Sequence, residues 1–327
     1  MSLLVIGGED VRAHLTPAVA IPLIGTAMRA LSRGDAQQDL RQIVPLKSGA
    51  GVFGLMPGAL GGDAGFGAKL VTVFQAPRSG GHTGHQGLVC LFDPVSGAPV
   101  CILPAAEITA IRTAAASAVA TDALARRDAS RLAILGCGEQ AEAHLAAIPL
   151  VRNIKAVTVW GRSTERASAF AARVGPRLSI PIRVAETASE AVRNADIVCT
   201  TTAANDPIID AGDIAAGCHV NAVGSSRAGP AELGEELVAR ARFFVDHRAS
   251  ALSQAAEFLR AKAAGLINDD HVLAEIGEVL LQRHPGRRTE TEITVYKSLG
   301  SVVQDLASGW FLYERALRDG FGEHVPL

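Results

Sequence analysis

The most informative part of the sequence is RLAILGCGEQAEAH, residues Arg131–His144. It opens with an apolar run, Leu132–Leu135, that is short enough for a buried parallel strand, and it continues into a segment that suits a helix. Between the two, Gly136, Gly138 and Ala141 give the spacing G-x-G-x-x-A. The first glycine permits a tight turn, the second leaves room for phosphates beside the backbone, and the small third residue lets helix and strand pack closely. The stretch therefore predicts a strand–turn–helix that binds a dinucleotide pyrophosphate, with an ordinary tight turn as the alternative.

The residues that follow alternate apolar runs with segments that suit helices. Strands that alternate with helices form parallel sheets, so this pattern predicts an α/β fold with a doubly wound Rossmann sheet. The further predicted strands are Ala156–Trp160, Ile180–Val184, Asp196–Thr200, His219–Val223, Arg242–Val245 and Ile293–Tyr296. The predicted helices are Thr164–Val174, Ser189–Asn194, Leu252–Ala264 and Ser301–Arg318.

The first hundred or so residues follow a different pattern, in which short strands are joined by Gly-rich turns. An Ala-rich run introduced by Arg112, with Thr113 as a candidate N-cap, predicts a helix that leads into the dinucleotide strand. The last helix has a wide apolar face, which predicts that it packs back on the N-terminal domain. We therefore expect a mixed α+β domain of residues 1–112 plus 303–327, with a Rossmann domain of residues 113–302 inserted into it. The strands predicted before Arg112 are Leu3–Ile6, Arg41–Pro45, Val52–Met56, Ala68–Phe74, Gly87–Asp93 and Val100–Leu103.

Composition narrows the functional classes. The chain has 327 residues, a net charge of −2 and no basic block, which argues against a nucleic-acid partner. Its five cysteines are scattered, as expected of buried free thiols in a reducing cytosol. No run reaches the roughly 18 apolar residues that a membrane span needs, and the N-terminus lacks the features of a signal peptide. We expect a cytoplasmic chain without a membrane partner.

The end of the second predicted strand, WGRST, indicates which nucleotide is bound. An acidic residue at this place favours the 2′-hydroxyl of NAD, whereas an arginine accommodates a 2′-phosphate. Here Arg162 and Ser163 follow the strand, and no carboxylate precedes Glu165. The sequence therefore predicts NADPH as cofactor and leaves NADH open; the alternative for Arg162 is a solvated surface residue.

The carboxyl ends of the strands supply the other candidate nucleotide contacts, because ligands of doubly wound sheets bind at that edge. Ordinary Ser/Thr capping at a strand edge is the alternative for the hydroxyl residues. The complete set of candidate cofactor-binding residues is Gly136, Gly138, Glu139, Gln140, Arg162, Ser163, Thr201, Thr202, Val223, Gly224 and Ser298.

Three cations outside the Rossmann segment stand at unusual places: Arg41 before Pro45, Lys69 within an apolar strand, and Arg112 after an apolar stretch. They suit a shared anion site. A solvated face for Lys69 and a surface ion pair for Arg112 are the alternatives. His82 and His85 lack a third ligand nearby, so no metal site is predicted.

The chain resembles the ornithine cyclodeaminase/mu-crystallin family over most of its length. The motifs that carry the resemblance are FGAKLVTVF (Phe66–Phe74), GHQGLVCLFDPVSGAP (Gly84–Pro99), ITAIRTAAASAVAT (Ile108–Thr121), LGCGEQAEAH (Leu135–His144), ADIVCTTT (Ala195–Thr202), HVNAVGSS (His219–Ser226) and VYKSLG (Val295–Gly300).

The resemblance implies a homodimer whose N-terminal domain, completed by the C-terminal helix, binds the substrate and forms the dimer contact. It also implies that Arg41, Lys69 and Arg112 hold the carboxylate of the substrate. Two departures matter: Gly54 and Ser226 stand where the ornithine-deaminating members carry Glu and Asp. Cyclodeamination needs acid–base groups, so the departures favour the branch that reduces cyclic ketimines.

The expected activity is therefore NAD(P)H-dependent reduction of a small cyclic imine carboxylate, Δ1-pyrroline-2-carboxylate or Δ1-piperideine-2-carboxylate, to proline or pipecolate. The candidate catalytic residues are Lys69, Arg112, Ser226 and His85, with the proton supplied by water held on Ser226 or by His85. The alternatives are an amino-acid dehydrogenase of the alanine dehydrogenase type, an ornithine cyclodeaminase, and a non-catalytic NADPH-binding protein of the crystallin type.

Overall fold

The computed structural model describes residues 2–47, 51–62, 64–74 and 85–327, with only the backbone of His85. The chain divides into two compact units, which we call the first unit (Met1–Arg112 with Ser301–Leu327) and the second unit (Thr113–Gly300). The strands are β1 Ser2–Val5, β2 Gln37–Gln38, β3 Gln42–Pro45, β4 Gly51–Ala59, β5 Phe66–Phe74, β6 His85–Phe92, β7 Pro99–Pro104, β8 Arg131–Leu135, β9 Ala156–Trp160, β10 Ile182–Val184, β11 Ile197–Thr200, β12 His219–Ala222, β13 Arg242–Val245, β14 Val272–Glu275, β15 Thr294–Lys297 and β16 Glu323–Pro326. The α-helices are α1 Gly8–His14, α2 Pro17–Arg33, α3 Ala105–Leu124, α4 Glu139–Ala147, α5 Thr164–Val174, α6 Ala188–Val192, α7 Glu235–Arg240, α8 Arg248–Gln254, α9 Ala256–Ala263, α10 Ile276–Leu280 and α11 Val302–Asp319.

The first unit is built on a mixed sheet in the order β16-β1-β7-β6-β5-β4-β2, with β3 also paired to β4. Strands β1 and β7 are parallel, and β4 to β7 form an antiparallel meander. Helix α11 packs against β4, β5 and β6 and against α2, as its wide apolar face predicts. A Cβ at Gly58 would lie 2.6 Å from Cγ1 of Val302, so this glycine lets the helix approach the sheet.

The second unit contains a sheet in the order β10-β9-β8-β11-β12-β15-β13-β14, in which all neighbouring strands are parallel. The predicted α/β fold with a doubly wound sheet and a mixed sheet is thus confirmed. The strands are almost completely buried at its centre, where Ile134, Val198 and Val220 are 0% exposed. Burial on both faces explains why they appear in the sequence as continuous apolar runs.

Some predictions about elements are wrong. Helix α3 starts at Ala105, so Arg112 lies in the middle of a 20-residue helix and Thr113 caps nothing. Pro104 ends the preceding strand, and the Ala-rich segment after it has high helix propensity throughout. The single helix expected over Leu252–Ala264 is two helices, α8 and α9, which meet at an extended Ala255.

The strands β14 and β16 were not predicted. Both are four residues long and contain charged residues, so neither has the apolar run that indicates a strand. The other elements predicted for the second unit begin and end within two residues of those observed.

Among the described residues, no single helix is both long and apolar enough to cross a membrane. Helices α1 and α2 together reach that length and hydropathy, but they meet at an angle of 85°. Helices in the core of a folded domain also pass this test, which uses length and composition alone.

Candidate active site

A cluster of buried charges in the first unit contains two of the three predicted cations, Lys69 and Arg112. Lys69 on β5 and Arg112 on α3 both contact Oδ1 of Asp305 on α11, with Nζ at 3.1 Å and Nε at 3.0 Å. Lys69 and Arg112 are each 4% exposed and Asp305 is 0% exposed. Oδ2 of Asp305 has no hydrogen-bond partner among the described residues. One carboxylate oxygen therefore holds two buried cations and leaves the second oxygen available.

Neighbouring side chains fix the direction of both cations. Lys69 Nζ donates to Oγ1 of Thr109 at 2.5 Å, and that hydroxyl donates in turn to the carbonyl oxygen of Ala105. Arg112 Nη1 donates to Oε1 of Gln304 at 3.0 Å. Strand β5 and helices α3 and α11 thus bring these side chains to one point.

Arg41 adds a further positive charge that acts on Lys69. It is half-buried just before β3, and it is near enough to act on Lys69 electrostatically. Burial, together with the charges of Arg112 and Arg41, lowers the pKa of Lys69 to about 8, while the charge of Asp305 opposes the change. Lys69 and Arg112 share the one carboxylate of Asp305, which leaves an excess of positive charge between these three side chains and suits an anionic ligand.

Asp305 was not predicted to belong to the site. Its only signal in the sequence is an acidic residue between Val303 and Leu306, on the apolar face of an amphipathic helix. A carboxylate that is fully buried needs a partner, so that position pointed to a cation elsewhere in the chain.

The Gly-rich loop of the second unit has the geometry of a phosphate-binding turn. Gly136 has a φ of +127°, and a Cβ there would lie 2.5 Å from Oγ1 of Thr201. Gly138 is the N-cap of α4, so no side chain of the N-cap residue occupies the first N–H groups of the helix. A Cβ at Gly138 would have no other atom within 4 Å. The first N–H groups of α4 and the space beside Gly138 therefore fit a dinucleotide pyrophosphate. Glu139 is exposed and Gln140 half-buried at the start of this helix.

The residues predicted to read the ribose follow β9. Arg162 is exposed and has no carboxylate within ion-pair distance among the described residues. Ser163 is the N-cap of α5, and its hydroxyl accepts a hydrogen bond from the N–H of Arg166 at 3.2 Å. Arg162 is therefore available to a phosphate, while Ser163 also stabilises the helix.

The remaining cofactor candidates lie at the carboxyl ends of the parallel strands. Thr201 donates from both N and Oγ1 to the carbonyl oxygen of Leu135. Thr202 and Gly224 both donate to Glu232, a buried residue that was not predicted. Val223 is 8% exposed, and Ser298 is 2% exposed with an Oγ that has no hydrogen-bond partner among the described residues.

Of the two candidate proton donors, Ser226 is described by the structure and the side chain of His85 is not. Ser226 is half-buried in the segment after β12. The side chain of His85 and all of His82 lie outside the described residues. In the parts of the chain that the structure describes, no group of three or more His, Cys, Asp or Glu residues is arranged to hold a metal ion.

Comparison with known proteins agrees with this geometry. The model of the ornithine cyclodeaminase/mu-crystallin family matches residues 4–320. The chain belongs to the ornithine cyclodeaminase/mu-crystallin family. Among the relatives in this family, a Delta(1)-pyrroline-2-carboxylate reductase from Bacillus cereus is 34% identical over 326 residues, covering 99% of this chain and 100% of the relative.

Two solved structures of similar proteins superimpose closely. The Thermococcus litoralis Delta(1)-pyrroline-2-carboxylate reductase, in complex with NADH and L-proline, has a TM-score of 0.95 and 31% identity, covering 99% of this chain and 100% of that one. An archaeal alanine dehydrogenase dimer with bound NAD has a TM-score of 0.94 and 30% identity, covering 100% of both chains.

Proposed function

We propose that this protein is an NAD(P)H-dependent reductase of cyclic ketimine carboxylates, which converts Δ1-pyrroline-2-carboxylate to proline or Δ1-piperideine-2-carboxylate to pipecolate. The observation that carries the proposal is the buried excess of positive charge around Asp305. A buried cation without a matching anion is costly. The carboxylate of the substrate supplies the missing negative charge, which gives both binding energy and orientation.

Arg112 and Lys69 hold this carboxylate, and Arg41 adds a third positive charge. A guanidinium can form two parallel hydrogen bonds to a carboxylate, so Arg112 fixes the plane of the substrate as well as its position. Positioning of this kind can supply about 7–11 kcal/mol of a reaction barrier.

The second unit binds the nucleotide through Gly136, Gly138 and the start of α4. When bound, the reduced nicotinamide supplies the hydride. Arg162 is exposed directly after β9, where an arginine accommodates a 2′-phosphate, and this supports NADPH as the preferred form. The T. litoralis reductase was solved with NADH and the archaeal alanine dehydrogenase with NAD, so the proposed preference for NADPH rests on Arg162.

Reduction of an imine adds a hydride to carbon and a proton to nitrogen. Lys69 is a candidate proton source, because it would hold the carboxylate on the carbon beside the imine nitrogen; in the free site, burial and the neighbouring cations lower its pKa to about 8. A group with a pKa near the working pH transfers protons efficiently. Lys69 then recovers its proton from solvent, and Asp305 steadies its ammonium group between turnovers. Ser226 can hold a water molecule in this role as well.

The chain lacks both carboxylates that the family resemblance associates with cyclodeamination, at Gly54 and at Ser226. Gly54 is buried on β4, where a Cβ would lie 3.1 Å from Cγ1 of Val71. Ser226 replaces the second acid. Ornithine is therefore not the substrate that we propose.

We also propose that the protein is a homodimer. Lys69 faces α11, so Ala68 and Leu70 point to the opposite face of the sheet. There Leu70 is paired with Leu55 on one side and Leu88 on the other, and Phe66 is paired with Phe92. Leu88 is 43% and Phe66 39% exposed, and an exposed apolar row of this kind marks a protein interface. Sedimentation velocity should give twice the chain mass of 33.9 kDa.

The state of the thiols supports a proposal for the subcellular location. All five cysteines are free, and three of them are buried, as in a reducing compartment. We therefore propose a cytoplasmic protein.

The test is the oxidation of NADPH and of NADH, followed with each cyclic imine, with ornithine, and with pyruvate plus ammonia. We expect turnover of at least one cyclic imine without added ammonia, and a several-fold higher KM for NADPH in Arg162→Ala with little change for NADH. Conversion of ornithine to proline without imine reduction would overturn the proposal. Turnover only with pyruvate and ammonia would instead favour an alanine dehydrogenase, the second activity found among the similar structures.

A further inference from the structure

Glu232 is a fully buried carboxylate that receives four hydrogen bonds from the ends of two neighbouring strands. Oε1 accepts from N and Oγ1 of Thr202 at 2.6 and 2.7 Å. Oε2 accepts from Oγ1 of Thr200 and N of Gly224, both at 2.7 Å. An ionised carboxylate can only accept, so four donors around two oxygens match the charged form.

Further buried charges hold Glu232 in place. Its N–H donates to Oε1 of Glu257 at 3.2 Å, and Oε2 of Glu257 forms an ion pair with Nζ of Lys297 at 2.9 Å. Both of these side chains are 0% exposed. Lys297 is the last residue of β15, which pairs with β12. The chain of contacts therefore joins the carboxyl ends of β11, β12 and β15.

Burying the charges of Glu232, Glu257 and Lys297 costs free energy, which argues that these residues do more than fill the core. Burial raises the pKa of Glu232 above its ordinary value, although the charge of Lys297 opposes the change. A Cβ on Gly224 would lie 2.1 Å from the carbonyl oxygen of Thr202, so the two strand ends are in direct contact as well as hydrogen-bonded through Glu232.

We propose that Glu232 is a positioning residue that holds residues 200–202 and 223–224 together as one rigid support for the nicotinamide half of the nucleotide. The inference rests on the proposed nicotinamide-nucleotide site, since Thr202 and Gly224 are candidate contacts there. Glu232 acts through these residues, because its own oxygens are occupied by their donors. Loss of its charge frees the two segments and loosens the bound nicotinamide.

The test compares Glu232→Gln with Asp196→Asn. Asp196 is a matched control because it precedes β11 at the opposite edge of the sheet and also accepts backbone hydrogen bonds, from Ser130 and Arg131. For both variants we would measure thermal unfolding, the dissociation constants of NADPH and NADH by nicotinamide fluorescence, and the anisotropy of the bound nicotinamide. The anisotropy reports how freely the bound nicotinamide rotates. If Glu232 contributed only to the overall stability of the fold, its substitution would not change this quantity.

For Glu232→Gln we expect a dissociation constant at least tenfold higher and a lower anisotropy, with less than a twofold change in Asp196→Asn at a similar loss of Tm. Thr200→Val, which loses one donor to Glu232 and is not itself a candidate nucleotide contact, should change both quantities in the same direction and serves if Glu232→Gln does not fold. Equal effects in Glu232→Gln and Asp196→Asn, or wild-type affinity in Glu232→Gln, would overturn the inference. Failure of the wild type to bind either nucleotide would instead refute the proposed function.

Discussion

The two units of the molecule each bury a cluster of charges, and the clusters have opposite composition. In the first unit, Lys69 and Arg112 both contact the carboxylate of Asp305, and the charge of Arg41 acts on Lys69. In the second unit, two carboxylates, Glu232 and Glu257, accompany a single cation, Lys297. One cluster therefore has an excess of positive charge and the other an excess of negative charge.

The carboxylates of Glu232 and Asp305 also differ in how many hydrogen bonds they accept from the protein. Both oxygens of Glu232 accept two hydrogen bonds each, whereas Oδ2 of Asp305 has no partner among the described residues. A buried charge whose partners are all protein groups fixes local structure. The open oxygen of Asp305 needs a donor, whereas the excess positive charge of Lys69 and Arg112 needs an anion. This difference is the reason that we propose substrate binding for the first cluster and support of the nucleotide site for the second.

The largest expected effect comes from removing the only carboxylate of the cationic cluster. Asp305→Asn leaves the buried Lys69 and Arg112 without a compensating charge, and breaking a buried ion pair in this way costs about 3–5 kcal/mol. Urea unfolding should show this loss, followed through the fluorescence of Trp310 on the same helix in a Trp160→Phe background. Glu232→Gln should destabilise less, because it reduces an excess charge rather than adding to one.

Asp319→Asn is the control for Asp305→Asn. Asp319 lies at the end of the same helix and pairs with Arg315 and Arg318, but its side chain is 35% exposed. Its loss should cost less than about 1 kcal/mol. A similarly small effect of Asp305→Asn would show that the first cluster is not held together by its carboxylate.

The sequence predicted the features that depend on residues close together in the chain. Gly136, Gly138 and Ala141 lie within one turn, and each has a local reason to be small. The apolar runs of the parallel strands are likewise local, which explains why the bounds of all of them except β14 were predicted within two residues. The grouping of Arg41, Lys69 and Arg112 came mainly from the family resemblance, since spacing alone left a solvated lysine and a surface ion pair open.

Asp305 and Glu232 were missed because their partners are distant in the chain. Lys69 and Asp305 are 236 residues apart, and Thr200 and Glu232 are 32 apart. Acidic residues on helices and loops are usually solvated, so only the tertiary fold shows that these two are buried. The start of α3 was missed for a related reason, because Ala-rich sequence has no preferred boundary of its own.

A second prediction concerns His144 of the second unit, whose two ring nitrogens both form hydrogen bonds within the protein. His144 Nδ1 is 2.7 Å from the carbonyl oxygen of Gln140, so it donates there, and Nε2 accepts from Oγ of Ser117 at 2.8 Å. Burial lowers the pKa of His144 from 6.5 to about 4. The folded state therefore binds fewer protons than the unfolded state between these values, and stability that is complete above pH 6.5 declines as the pH falls towards 4.

Between pH 7.5 and 5, this titration should remove about 2 kcal/mol of the free energy of unfolding. His144→Gln should lack that part of the pH dependence, with the second unit followed through Trp160 in a Trp310→Phe background. His247→Gln is the matched control, because His247 also contacts a serine hydroxyl, at 2.9 Å, but is only half-buried. An unchanged acid dependence in His144→Gln would contradict the neutral, buried state of this ring.

The smallest expected effect is a proton taken up by the first cluster when it binds an anion. Because the pKa of Lys69 is about 8, part of the population is neutral in mildly alkaline solution. A bound carboxylate raises that pKa again, since an adjacent negative charge favours the ammonium form.

Calorimetric titration with pyrrole-2-carboxylate, a planar ring carboxylate, in buffers of different ionisation enthalpy should show uptake approaching one proton per ligand near pH 9 and none near pH 6. Affinity should fall by up to about tenfold per pH unit above pH 8. Lys69→Arg should abolish the uptake, because arginine remains charged throughout this range. Binding without proton uptake at pH 9 in the wild type would show that Lys69 does not receive the carboxylate, and it would remove the main distinction that we draw between the two clusters.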